Sequence, residues 1–425
     1  MARRSPRPLL VVLHRWLGLF IAAFLFVAGL TGAVISWDHE LDEWLNPRLF
    51  EAPLAAGETA RSPLVLAAEL EQQRPGLQVT YLPLRLEPGH SLGLGVAPRP
   101  GADGQALPLA YNQVALHPAS GEVLGQRLWG EVSLSRENLL PFLYKLHYSL
   151  HVPAFAGSDR WGIWFMGIVA LVWLADGFIA VALTLPAGRR KGRLDAPVGA
   201  GQAERRSWWA RWSASWKVRR GAGAYKFNFD LHRAGGLWVW VLLFLLAFTS
   251  FSLNLYREVF QPLMASVSEV TPGPFESRMP RPWDRPAVAH LTREHALQRA
   301  AVLARELGWT EGAGSLFYSP AFDLYGVQFF DGSDDHGNGG LGVKTLYLDG
   351  GDGRYLGQRV PWQGTAADVF VQLQFPVHSG RILGLPGRIL ISLMGLMVAV
   401  LSATGVYIWW KKRRGRRRRL PAAPV

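Results

Sequence analysis

The sequence predicts a membrane α-helical protein: a four-helix transmembrane bundle built from two parallel repeats, with two periplasmic α/β domains. Three observations carry that prediction. Four apolar runs each reach about 20 residues, enough for a helix to cross roughly 30 Å of hydrocarbon. Basic residues gather in three segments outside those runs, and the two halves of the chain carry matching motifs in the same order. Composition agrees. The 425 residues are 49% hydrophobic and only 18% charged, where soluble domains carry about 25%. There are 18 Trp, a residue enriched at membrane interfaces. Disorder and collagen are excluded, and a purely soluble enzyme is disfavoured. Cysteine is absent. That removes disulfides, iron–sulfur clusters, thiolate ligands, the C-x-x-C-H haem attachment and Cys nucleophiles. A metal or cofactor must be held by His, Met, Tyr, carboxylate or backbone groups.

The first span is read over 9–37, opening at Leu9 and closing at Trp37. Its basic start resembles a signal peptide, but the apolar core is too long and no small-residue cleavage site follows. An outer domain over 38–145 comes next. A His-bearing approach and second span cover 146–185, the apolar run being Trp161 to Leu185. A basic loop over 186–230 leads to a third span over 231–256, apolar from Ala234 to Tyr256. A second outer domain covers 257–372. A second His-bearing approach and fourth span cover 373–410, apolar from Ile389 to Trp410. A basic tail over 411–425 ends the chain.

Charge sets the orientation. Arg3, Arg4 and Arg7 precede the first span. The loop between spans two and three carries Arg189, Arg190, Lys191, Arg193, Arg205, Arg206, Arg211, Lys217, Arg219, Arg220 and Lys226. The tail reads KKRRGRRRR from Lys411 to Arg419. The positive-inside rule makes all three cytoplasmic, both termini included. The net charge of +13 is then mostly topological. The polybasic tail suits a lipid surface, and nucleic acid is not expected as a partner.

The repeat is visible at several points. His14-Arg15-Trp16-Leu17-Gly18-Leu19 opens span one, and His232-Arg233-Ala234-Gly235-Gly236-Leu237 opens span three. ALHPASGEVLGQR (Ala115 to Arg127) matches YLDGGDGRYLGQR (Tyr347 to Arg359). LHYSLHVP precedes span two and LQFPVHSG precedes span four, which sets His151 on His378 and His147 on Gln374. Spans one and three run outward and spans two and four inward, so the repeats are parallel. Within the outer segments, 62–76 has helical periodicity, and 78–86 and 111–118 alternate as strands. In the second copy a Thr-capped helix covers 292–308. SLFYSPAF, DLYGVQFF and KTLYLDG read as strands.

These motifs resemble the PepSY-associated transmembrane helix proteins. LHRWLGLF, LHYSLHVP, FDLHRAGGLW and LQFPVHSGRILGLPGR carry the likeness, and it extends over nearly the whole chain. The two outer domains, each ending in a Gly-rich turn and LGQR, look like PepSY modules. The resemblance implies a bacterial inner-membrane location and, in some members, b-type haem with reduction of ferric siderophores in the periplasm.

Five of the 11 His stand at predicted helix ends. His14 and His232 fall on the cytoplasmic side. His147, His151 and His378 fall on the outer side. A bis-His haem needs two imidazoles on facing helices, and one from each repeat supplies them. His14 with His232 forms an inner pair; His378 with His147 or His151 forms an outer one. Together they make two haem b sites and an electron path across the bilayer. Repeat symmetry favours His151, whereas the family's Leu-His-x-x-Leu pattern favours His147. At spacing four both are expected on one helix face. Interface histidines are also ordinary polar anchors, and His-x3-His can bind zinc, though zinc leaves His14 and His232 unexplained.

Arg15, Arg233, Arg381 and Arg388 adjoin these His and suit haem propionates, or anchor the chain at the interface. Asp176 sits inside span two as a proton relay or a helix partner. The loop DGSDDHGNGG offers Asp331, Asp334, Asp335 and His336, and reads chiefly as a solvated turn. Neither G-x-G-x-x-G after a strand nor a P-loop is present. The expected donor is therefore quinol or a separate reductase. The main expectation is a haem-dependent membrane oxidoreductase that reduces a ferric siderophore or similar chelate. Its rivals are a membrane-anchored PepSY binding or regulatory protein without redox activity, and transport through the bundle.

Overall fold

Apolar length and alternation divide the chain into helices that suit a bilayer and strands that suit a half-buried sheet. A computed structural model describes residues 6–187, 207–331 and 340–417. Arg3, Arg4, Arg189, Arg190, Lys191, Arg193, Arg205, Arg206, Asp334, Asp335, His336, Arg418 and Arg419 lie outside the described residues. The chain forms two compact units. A helical unit comprises 1–36, 146–260 and 389–425, and a sheet unit comprises 37–145 and 261–388.

In the helical unit, α1 (Arg7–Ile35), α6 (Trp161–Thr184) and α14 (Gly384–Arg417) hold runs long and apolar enough to cross a membrane. The third predicted span differs from its expected form. It begins early, as α8 (Ala224–Trp238), and bends by 72° into α9 (Trp240–Asn254), so the two count as one span only if the bent pair is taken together. Gly235 and Gly236 occupy the turn before the break at Val239, and sharp kinks favour such pairs. Between α6 and α8, α7 (Trp208–Trp212) starts a cluster in which Trp208, Trp209, Trp212 and Trp216 meet at centroid distances of 4.8 to 5.8 Å.

Ile21 and Leu25 of α1, Val169 of α6 and Val398 of α14 form the helical core, with Phe24, Phe165, Val172, Trp173 and Leu243 packed around them. Helices α1 and α14 cross backbone to backbone. A Cβ at Gly29 would stand 2.5 Å from the Gly395 carbonyl, so only small residues allow this approach.

In the sheet unit, α2 (Asp38–Leu45) and α3 (Pro47–Phe50) lead to α4 (Pro63–Gln73). The strands β1 (Leu77–Pro83), β2 (Leu92–Pro98), β3 (Gln113–Leu116) and β4 (Val123–Arg127) follow. Helix α5 (Leu139–Ser149) then runs into the helical unit. The second passage starts with α10 (Gln261–Val267) and α11 (Arg293–Glu306). It continues through β5 (Ala313–Ser319), β6 (Leu324–Phe329), β7 (Lys344–Asp349) and β8 (Tyr355–Arg359), and ends on α12 (Ala366–Gln372) and α13 (Gln374–Ser379).

The sequence repeat becomes a repeat of register. Val114 faces Gln126 as Leu346 faces Gln358, Ala115 faces Gly125 as Tyr347 faces Gly357, and both pairs then slip at the same place. The two α/β copies are not separate sheets, however. They join through β1 and β5 into one antiparallel sheet of eight strands, ordered β4-β3-β2-β1-β5-β6-β7-β8. Backbone groups on an exposed strand edge seek partners, and each copy gives its β1-type edge to the other. Strand β2 has only a weak sequence signal, because LGLGVAP has two glycines and little β propensity. It still buries Leu92, Leu94 and Val96 at alternate positions under α4. Helix α11 offers Ala296, Ala300 and Ala304 at one-turn spacing to the second half, with Thr292 capping its first turn.

One buried ion pair spans the junction. Glu71 of α4 bonds Arg293 of α11 and accepts the Val79 amide at 2.6 Å, and both side chains are less than 15% exposed. Removing one partner leaves a buried charge alone. Glu71→Ala is expected to cost about 3–5 kcal/mol, seen as an earlier unfolding transition of the full chain in detergent.

Candidate functional site

A histidine partly buried among apolar helices is favoured to satisfy its ring N–H inside the protein. Three of the predicted histidines do so through Nδ1. His14 of α1 bonds the Asp176 carboxylate of α6, with Nδ1 at 2.9 and 3.0 Å from its two oxygens. His232 of α8 bonds α14, with Nδ1 at 3.0 Å from the Leu401 carbonyl and 3.1 Å from the Thr404 hydroxyl. His147 of α5 bonds α1, with Nδ1 at 2.9 Å from the Ala28 carbonyl and 3.2 Å from the Thr31 hydroxyl.

The first two rings come together. The centroids of His14 and His232 lie 6.1 Å apart with 47° between planes. Their holders occupy matching places in the two halves: LADG (Leu174 to Gly177) in α6 and SATG (Ser402 to Gly405) in α14. Each half therefore supplies a His from one helix and the holder from the next. The holders have diverged, an acidic side chain in one half and a hydroxyl with a carbonyl in the other. Asp176 is itself buried, and His14 answers its need for a donor.

His147 and His151 do not share a helix face, contrary to the four-residue spacing. Helix α5 ends at Ser149, and Leu150 and His151 both adopt φ +53°. Val152 precedes Pro153, whose ring disfavours helical geometry in the residue before it, so the helix stops. His378 stands at the end of α13 in the sheet unit, whereas His147 and His151 belong to the helical unit.

The arginines differ from one another. Arg15 makes no ion pair or hydrogen bond among the described residues. Arg233 donates to Asp230 and to the Ala214 carbonyl at 3.0 and 3.1 Å. In the sheet unit Arg381 stands 3.8 Å from Asp38, and Arg388 donates to Glu40 at 2.7 Å while its guanidinium lies 4.5 Å from the Trp37 ring centre. The hydrogen bond from Arg388 holds the Glu40 carboxyl below the ordinary carboxylate range. Protein carboxylates thus already face three of the four arginines expected to suit propionates, Arg233, Arg381 and Arg388. Sequence reasoning missed Thr31, Thr404 and Asp230. Asp230 is fully buried and takes Arg219 and Arg233 together. The Thr-Gly dipeptides at 31–32 and 404–405, inside apolar runs, were the available signal. Among the described residues no cluster of three or more metal-ligating carboxylates and histidines occurs, which leaves zinc at His147 and His151 without supporting ligands.

A chain with apolar helices of membrane-spanning length and an antiparallel sheet is a membrane protein that also carries a β-sheet unit. A family model described as PepSY-associated TM region matches residues 11–412. The chain belongs to that family. No curated protein matches it.

Close packing holds the His232 ring in place, since a Cβ at Gly405 would come within 3.2 Å of its Cε1. Gly405→Val is expected to push the ring from its cradle and destabilise the chain by about 1–3 kcal/mol, read from its thermal transition in detergent.

Proposed function

We propose that the protein is an inner-membrane haem b oxidoreductase that carries electrons across the bilayer and reduces a ferric chelate of the siderophore kind outside. The observation that carries this reading is the His14–His232 pair. The two rings, one from each half, have centroids 6.1 Å apart, near enough that both could ligate one iron. The donor set also fits: each ring has Nδ1 engaged elsewhere, the arrangement that orients a ligating histidine.

When bound, haem b supplies a one-electron carrier whose potential follows its ligands and surroundings. The chain does the rest. His14 and His232 hold the inner site, with Asp176 and the Leu401 carbonyl fixing their rings. Arg15 offers its guanidinium to a propionate. His147, His151 and His378 are the candidate ligands for the outer side. The sheet unit borders the ferric substrate, and the sequence has no nucleotide-binding motif, so quinol or a separate reductase is the donor. The basic segments Arg3 to Arg7, Arg189 to Lys226 and Lys411 to Arg419 support a cytoplasmic location for both termini.

The test is a visible spectrum of the chain purified in mild detergent from haem-replete cells, oxidised and dithionite-reduced. A six-coordinate b-type spectrum is expected, with His14→Ala and His232→Ala each removing the same haem. Asp176 makes His14 a stronger electron donor and favours ferric iron. Asp176→Asn should therefore raise that midpoint potential by about 60 mV, a tenfold change in a one-electron equilibrium. A colourless wild-type preparation defeats the proposal and leaves a membrane-anchored PepSY binding or regulatory protein.

A further inference from the structure

Two imidazoles in the helical unit are gripped by the same three-part device. On α1 its parts are the Ala28 carbonyl, the Thr31 hydroxyl and Gly32. On α14 they are the Leu401 carbonyl, the Thr404 hydroxyl and Gly405. The carbonyl stands at position i, the Thr at i+3 and the Gly at i+4, so all three share one helix face. Nδ1 meets the carbonyl at 2.9 Å in one case and 3.0 Å in the other, and the hydroxyl at 3.2 and 3.1 Å. The ring lies against the bare glycine. A Cβ would come within 2.9 Å of His147 Cε1 and 3.2 Å of His232 Cε1.

Counting protons fixes the tautomer. A Thr hydroxyl has one proton to give. Thr31 Oγ lies 2.8 Å from the Val27 carbonyl, and Thr404 Oγ lies 2.7 Å from the Val400 carbonyl. Each hydroxyl donates back to its own helix, the ordinary habit of a mid-helix Thr. Toward the imidazole it can only accept, and the neighbouring carbonyl can only accept. Neither device offers a donor to Nδ1. Nδ1 therefore carries the proton, and the lone pair of the neutral ring is on Nε2.

We propose that Thr31 with the Ala28 carbonyl, and Thr404 with the Leu401 carbonyl, are tautomer clamps that present Nε2 of His147 and His232 to a metal. His147, not His151, is then the ligand from its segment, because His151 lies in the left-handed turn beyond α5 and outside the device. Thr31 and Thr404 are positioning residues. The tautomer follows from the cradle geometry alone; the metal rests on the haem reading above.

The two parts separate experimentally. The full chain is labelled with 15N-histidine, purified free of haem into lipid nanodiscs, and examined by solid-state NMR for the protonated ring nitrogen. His147 and His232 should show Nδ1–H, with Thr31→Val and Thr404→Val each adding the other tautomer at its own site. Nε2–H in the wild type overturns the clamp whether or not haem binds. In haem-loaded protein, His151→Ala should keep full haem content and His147→Ala should lose haem. Thr31→Val and Thr404→Val, close in shape to the wild type, should release haem to apomyoglobin about tenfold faster, and they carry the test if His147→Ala does not fold. Unchanged release, or haem loss in His151→Ala, rejects the ligand assignment. A wild type that takes up no haem sinks the proposed function and the ligand role, and the NMR result still decides the clamp.

Discussion

The helical unit depends on satisfying imidazole N–H groups that are partly buried between apolar helices. A neutral histidine has one donor, and leaving it unpaired in an apolar surrounding costs several kcal/mol on transfer scales. His14, His147 and His232 each solve this across a helix interface, on Asp176, Ala28 with Thr31, and Leu401 with Thr404. The solution ties α1 to α6, α5 to α1, and α8 to α14. It also turns each ring in a fixed direction. Packing and ring orientation are therefore one constraint, and small residues at 29, 32, 395 and 405 give the helices room to meet it.

The sheet unit answers a different shortage. One four-stranded copy with a single helix has a modest core and two open edges. Joining β1 to β5 removes one edge from each copy and lets Glu71 and Arg293 meet between the two helices. The duplication is thus cooperative in the sheet and complementary in the helices, where each half provides one histidine of a pair. It has also diverged where charge matters. Asp176 and Thr404 occupy matching positions, and only one brings a carboxylate to its histidine. Arg15 and Arg233 match likewise, and only Arg233 has been captured by an acidic neighbour, Asp230.

Much of this was legible in the residues. The apolar runs marked the helices, and the repeated LGQR became a repeated register with the same slip in both hairpins. The Thr cap marked the start of α11. Other features left weak traces. Strand β2 is half glycine and small residues, so its alternation is faint until α4 covers it. The spacing of His147 and His151 suggested a shared face, which fails because a proline two residues on from His151 ends the helix early. The carboxylate partners of Arg381 and Arg388 come from α2, more than 300 positions away in the chain, and no local pattern encodes them.

By itself the sequence determined where apolar length forces a helix, where alternation forces a strand, and that the halves are copies. Those are properties of short windows, governed by period and propensity. Tertiary structure alone decided that two sheets are one, that the third apolar run is bent, and which acceptor each imidazole finds. Those outcomes turn on atoms brought within 3 Å from distant positions, where a single glycine or hydroxyl settles the contact. Spacing along a chain carries no record of such meetings.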